Sequence, residues 1–208
     1  MENLTKTVRT LSTYAGRDKF IRSLYFSLIL LADKVGDKEG QKIMILAKQL
    51  SAARMIYRQF NHFGMIKACI ETWNLRNVAK DKIDFLLGAS VTGIYTIYGV
   101  VEFLAWIGDA KIINIESNKY YKYCLYLWIC ALCAGIIRGV RQLIKKYNDR
   151  RDISEMREDI ITTIGLSSDL IPAINSLPVQ FLWSQSLPTK ISGRLSLIAS
   201  LIGLYKVF

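Results

Sequence analysis

Between Lys122 and Arg138 the chain carries no charge, inside a longer apolar segment that runs from Tyr120 to Ile144. About twenty consecutive apolar residues are enough for a helix to cross a hydrocarbon core. Tyr120, Tyr121, Tyr123, Tyr126 and Trp128 gather at one end like an interfacial aromatic belt. Arg138, Arg141, Lys145 and Lys146 close the other end, where long stems can snorkel. These features predict a membrane helix over 119–144. Ala131, Gly135 and Gly139 recur every four residues and let a second helix approach closely, whether from the same chain or from another copy.

Two other apolar stretches compete for membrane placement. Phe85 to Trp106 is of spanning length but is interrupted by Gly88, Gly93, Gly99 and Glu102, so a spanning helix and an interfacial or protein-packed helix both remain open. Ile191 to Phe208 is apolar apart from Arg194 and Lys206 and is expected to form a second membrane helix over 191–208, accommodated by local thinning of the bilayer. Ser192, Ser196 and Ser200 make one small-residue ladder on it, and Ala199 with Gly203 a second, both suited to helix packing or oligomerisation.

Gln41 to Lys67 reads as one amphipathic helix. Leu46, Leu50, Ala53, Tyr57 and Phe60 fall at alternating steps of four and three, with Ile45, Ile56 and Phe63 widening the same side. Lys48, Arg54, Arg58 and His62 project from the other side. Such a helix can sink its apolar face to the acyl boundary while its cations stay with the headgroups. Lys48, Arg54, Arg58, Leu46, Leu50, Tyr57 and Phe60 are therefore the candidate lipid-binding residues, and the alternative is a packing helix with a solvated basic face. A turn at Gly36 to Gly40 joins this helix to an apolar one from Arg17 to Asp33 as an antiparallel pair. Residues 1–15 read as a frayed or amphipathic segment, 70–84 as a loop with short helical pieces, and 145–159 as a solvated connection. A modest amphipathic helix follows around Ile160 to Leu166, and the three prolines break up the region after it.

Composition agrees with a mixed chain. Hydrophobic residues make up 51% and charged residues 22%, the mean hydropathy is +0.22, and the net charge of +11 corresponds to a pI of about 9.5. That charge suits nucleic acid or an anionic leaflet, and the apolar runs together with the absence of any RNA- or DNA-binding motif select the leaflet. Catalytic chemistry is missing from the pattern. No phosphate-binding glycine loop, dinucleotide fingerprint or nucleophile elbow occurs. His62 is the only histidine and reads as a solvated polar residue, the carboxylates show no metal-ligand spacing, and Glu102 with Asp109 reads as a structural charge pair or cap. Cys69, Cys124, Cys130 and Cys133 read as small buried thiols rather than as a disulfide framework. No enzyme, cofactor or metal site is expected. Neither a secretory signal nor a C-terminal organelle address is seen, so any organelle targeting has to use internal signals.

Four segments resemble the peroxin-11 family of peroxisomal membrane proteins, most closely its gamma-type members: YAGRDKFIRSLYF at 14–26, QLSAARMIYRQFN at 49–61, EFLAWIGDAKI at 102–112 and SGRLSLIASLIGLY at 192–205. The resemblance covers nearly the whole chain. It implies an all-α, multi-pass integral protein of the peroxisomal membrane that elongates the organelle before division and so controls its number and size. It further implies an inserted amphipathic helix, here the one carrying Arg54 and Arg58. The expected partners are anionic membrane lipids, further copies of itself, other peroxin-11 paralogues, fission adaptors and a dynamin-type GTPase. The domain organisation that follows is a cytosolic-side region at 1–118, a membrane helix at 119–144, a lumenal connection at 145–190 and a C-terminal membrane helix at 191–208. A count of basic residues disputes that side for Lys145, Lys146, Arg150 and Arg151. The rival function is a channel for small metabolites, with Arg138, Arg141 and Arg194 lining an anion-selective pore.

Overall fold

The computed structural model describes residues 1–208, which form an all-α protein without strands. Eight helices follow one another: α1 (Glu2–Ser12), α2 (Tyr14–Ala32), α3 (Asp37–Gln59), α4 (His62–Asn74), α5 (Lys82–Asp109), α6 (Ser117–Asn148), α7 (Ile153–Asn175) and α8 (Thr189–Tyr205), with a 3-10 turn at Leu75–Asn77. They divide into two compact units, residues 1–58 with 174–208, and residues 59–173.

In the first unit, Thr13 leaves the helical region and turns the chain between α1 and α2. Its hydroxyl accepts from the Gly16 amide at 3.0 Å and donates to the Thr10 carbonyl at 2.8 Å, which caps α2. Gly16 lies so near this corner that a Cβ would fall 1.9 Å from the Thr10 carbonyl oxygen. At the other end of α2, Gly36 takes a φ of +83°, a left-handed turn that glycine adopts without steric cost, and α3 returns antiparallel. α8 lies along α2 in the opposite sense: Gly193 meets Leu30 and Gly203 meets the stem of Lys19. Ser196, Ala199 and Ser200 are buried on that same face. Asn175 fastens the proline-containing connection, donating to the Leu187 carbonyl at 3.2 Å and accepting from the Leu187 amide at 2.9 Å.

The second unit is built on the antiparallel pair α5 and α6. Gly108 packs against Ile115 and Ser117 at one end, and Asp84 reaches Arg138 and Gln142 at the other. α4 runs back along α5, with His62 on Gly99 and the Thr96 hydroxyl donating to the Met65 carbonyl at 3.4 Å. α7 runs back along α6, placing Leu166 on Gly135, Thr163 on Gly139 and Asp159 at 2.6 Å from Lys146.

α5 and α6, at 28 and 32 residues, are long and apolar enough to cross a membrane, and only 22% and 17% of their most apolar windows are buried. A helix at the centre of a water-soluble core is mostly buried, whereas most residues of these two stretches are not. The stretch left open in the sequence, 85–106, therefore belongs to one of the two helices of spanning length. α8 is 17 residues long and lies on α2 rather than standing alone.

Three local expectations change. The helix expected from Gln41 to Lys67 is two helices that break at Phe60 and Asn61. The loop expected over 70–84 is the last turn and a half of α4, a short 3-10 turn, and the start of α5, which Asp81 caps by accepting from the Asp84 amide at 3.0 Å. The solvated connection expected over 145–159 shrinks to residues 149–152. The basic last turn of α6, Lys145 and Lys146, suits a helix C-terminus, and the lysines find carboxylates that keep the polar stretch helical.

The two kinds of glycine should respond oppositely to alanine. Gly16→Ala forces backbone against backbone and should destabilise the fold by about 1–3 kcal/mol. Gly93→Ala, inside α5 with nothing within 4 Å of its new Cβ, should stabilise by about 0.5–1 kcal/mol. Thermal unfolding in detergent, followed by circular dichroism, measures both.

Candidate membrane interface

The outward side of α3 is apolar. Ile45, Leu46, Ile56 and Tyr57 are exposed and Leu50 is half-buried, with Lys48 exposed among them. The basic residues divide differently from the helical-wheel expectation. Lys48 does face out, but Arg54 turns inward onto α2, where its Nε donates to Asp18 Oδ1 at 3.0 Å with 13% and 10% of the two side chains exposed. Arg58, half-buried, lies one turn along the same inward face and adds its field to Asp18. Burial pushes the Asp18 carboxyl up, yet Arg54 first and then Lys19 and Arg58 hold it below its ordinary value. Burial in turn lowers Arg54, and Asp18 opposes that shift. Arg54 thus ties α3 to α2, and the headgroup-facing role expected of it has no free side chain behind it.

α4 carries a stripe of which the sequence reading used only Phe63. Phe63, Ile66, Ile70 and Trp73 recur at steps of three and four, and all four are exposed, as is Phe60 just before the helix. Lys67 and Glu71, 3.7 Å apart, occupy a polar flank of the same helix. The opposite side is held to α5, and His62 there is no solvated residue: its ring fills the notch above Gly99 and meets Phe103 edge to face at 5.8 Å. The signal was available in the spacing 63, 66, 70, 73. The charges after Glu71 masked it by suggesting a loop.

At one end of the α5–α6 pair the charges expected to snorkel are joined across the helices. Arg138 donates to Asp84 through Nε at 3.1 Å and Nη2 at 2.9 Å, a two-point contact, while its guanidinium rests over Gly88. Gln142 also donates to Asp84, and Arg141 donates to Asp81 at 2.8 Å with Lys145 at 3.5 Å. Arg138 and Arg141 are thus engaged with carboxylates, while Arg194, the third residue of the channel reading, lies exposed on α8. Glu102 is buried and accepts from the Tyr98 hydroxyl at 2.8 Å, and Asp109 is exposed at the end of α5.

The small residues sit in helix contacts within the chain. Ala131 is buried, Gly135 and Gly139 receive α7, Ala199 is buried and Gly203 receives Lys19. All four cysteines are free thiols, and they are not uniformly buried as expected: Cys124 is buried, Cys69 and Cys133 are half-buried, and Cys130 is exposed on the outer side of α6.

The family model described as Peroxisomal biogenesis factor 11 (PEX11) matches residues 4–208. The chain belongs to the PEX11 family. Among curated relatives it is 23% identical to Peroxisomal membrane protein 11C of Homo sapiens, an alignment of 231 residues covering 99% of this chain and 95% of that one. It is 22% identical to the Mus musculus protein of the same name, covering 97% and 93%. No solved structure matches. Membership places the chain among peroxisomal membrane proteins of organelle biogenesis, in keeping with two helices long and apolar enough to cross a membrane.

Asp18→Asn, which leaves Arg54 buried without its carboxylate, should cost about 3 kcal/mol at neutral pH. Because the folded carboxyl titrates below the ordinary value of 3.8, its stabilisation is complete above that pH and is lost as the pH falls through the folded value. Denaturant titrations of the two proteins in detergent should therefore differ by a constant amount at mild pH and converge in stronger acid.

Proposed function

We propose that this PEX11-family protein elongates the peroxisomal membrane ahead of division, with α5 and α6 crossing the bilayer as a hairpin and the apolar faces of α4 and α3 wedged into the cytosolic leaflet. The observation that carries this reading is the stripe of Phe60, Phe63, Ile66, Ile70 and Trp73, all of them exposed. Each ring contributes about 2 kcal/mol when it leaves water for the acyl boundary. Self-association raises the local density of such wedges, and fission adaptors with a dynamin-type GTPase complete the division step.

Packing and charge support a topology for this reading. Residues 1–58 and 174–208 form one unit through α2 and α8, so both ends of the chain belong on one side, and two adjacent crossings by α5 and α6 meet that condition. Arg76, Lys80, Lys82, Arg138, Arg141, Lys145, Lys146, Arg150 and Arg151 stand near the end of the hairpin where α5 starts and α6 finishes, against Lys111, Lys119 and Lys122 near the other end. An excess of positive charge belongs on the cytosolic face. On this topology Lys145, Lys146, Arg150 and Arg151 lie on that face and only the short turn at 110–116 reaches the lumen, in place of the lumenal 145–190 that the resemblance implies. Two crossings make the protein multi-pass.

The full chain reconstituted into liposomes containing anionic lipid should draw them into tubules visible by electron microscopy. Phe63→Ser with Trp73→Ser should abolish tubulation while the protein still resists carbonate extraction. Unchanged tubulation by that variant would remove α4 from the mechanism.

A further inference from the structure

The seam between α4 and α5 contains two adjoining cavities of different character. One, of about 490 Å³, is apolar and lined by Cys69, Ile70, Trp73 and Leu86 among others. The second, of about 420 Å³, is lined by Lys80, Asp84 and Arg138 at its polar end, and the two share Thr72 and Ala89. Volumes of this size are typical of small-ligand sites. The cations nearby fall into two sets. Arg138, Arg141 and Lys145 are held by Asp81 and Asp84. Arg76, Lys80 and Lys82, three cations within seven residues of the turn between α4 and α5, are exposed and in no ion pair. Arg76 is fixed beside the apolar cavity, its guanidinium 4.9 Å above the Trp73 ring and Nη1 donating to the Trp73 carbonyl at 3.0 Å.

A groove that accepts hydrocarbon, an aromatic ring at its mouth and uncompensated cations just beyond it match one kind of molecule. We propose that the α4–α5 seam binds an anionic phospholipid, with an acyl chain in the apolar cavity and the net negative charge of the headgroup on Arg76 and Lys80, Lys82 adding to the local field. The site rests on the placement of α5 in the bilayer argued above. It differs from a wedge, which needs only apolar area, because it selects a headgroup. The carboxylates lining the second cavity do not repel the phosphate, since their charge is spent on α6. Ala89 lines both cavities, so a larger side chain there takes up space in each.

The test uses the full chain in phosphatidylcholine nanodiscs containing a trace of phospholipid with a diazirine on its acyl chain, as either the phosphatidylserine or the phosphatidylcholine form. Cross-links are mapped by mass spectrometry. The phosphatidylserine probe should label residues 69–73 and 86–90 well above the phosphatidylcholine probe. Arg76→Gln with Lys80→Gln, both on the surface, should reduce that labelling roughly tenfold, to the phosphatidylcholine level. Ala89→Leu should remove seam labelling by both probes, with circular dichroism checking that it folds. Equal labelling by the two probes, labelling spread evenly over the outer faces of α5 and α6, or indifference to the Arg76 and Lys80 changes would each overturn the site and leave ordinary boundary lipid. Tubulation is scored separately: its loss with seam labelling intact counts against remodelling alone, and no labelling of α5 by either probe overturns its bilayer placement.

Discussion

The close approach of α8 to α2 is the contact on which the arrangement of this protein depends. It is possible because Gly193, Ser196, Ala199, Ser200 and Gly203 present almost no side chain to α2, so that Leu30 and the stem of Lys19 fill the space instead. The Ser200 hydroxyl turns back to the Ser196 carbonyl, so this buried group is satisfied within α8 itself. A contact between the second and last helices joins residues far apart in sequence. It brings the N-terminal and C-terminal segments into one unit.

Charge is used in three ways, separated by what each cation meets. Arg54 is buried on Asp18 and works as a fastener, strong because neither group can be left alone away from water. Arg138, Arg141 and Lys145 join α6 to Asp84 and Asp81 at the start of α5, so an end that looks strongly basic on α6 alone is largely compensated in the pair. Among the other cations, Lys48 on α3 and Arg76, Lys80 and Lys82 around the turn before α5 are exposed and adjoin apolar surface. On the proposed reading these are cations that meet the anionic leaflet.

Much of the helical layout was legible. The apolar run around Tyr120 to Ile144 is the centre of α6, and the turn at Gly36 follows from the sequence because glycine, aspartate and a second glycine punctuate two apolar patterns. The candidate interface was legible only in part. Exposure of Leu46, Tyr57 and Phe60 follows the period of the wheel, but the direction of Arg54 does not, because a helical wheel has no knowledge of Asp18 thirty-six residues away. The α4 stripe was hidden by charges that lie on its flank and just beyond its end. The small-residue ladders announced close helix contact without naming the partner, which is α7 for Gly135 and Gly139 and α2 for Gly203.

By itself the sequence determined what kind of molecule this is: a helical, cationic chain with more apolar surface than its own core can use, carrying the four segments that mark its family. Helical period and hydrophobicity are local properties, and they survive without knowledge of neighbours. Only the tertiary structure decided which faces are spent inside the protein and which remain for the bilayer. An arginine or a glycine is the same residue in either role, and the difference lies in whether a carboxylate or a neighbouring helix arrives from elsewhere in the chain.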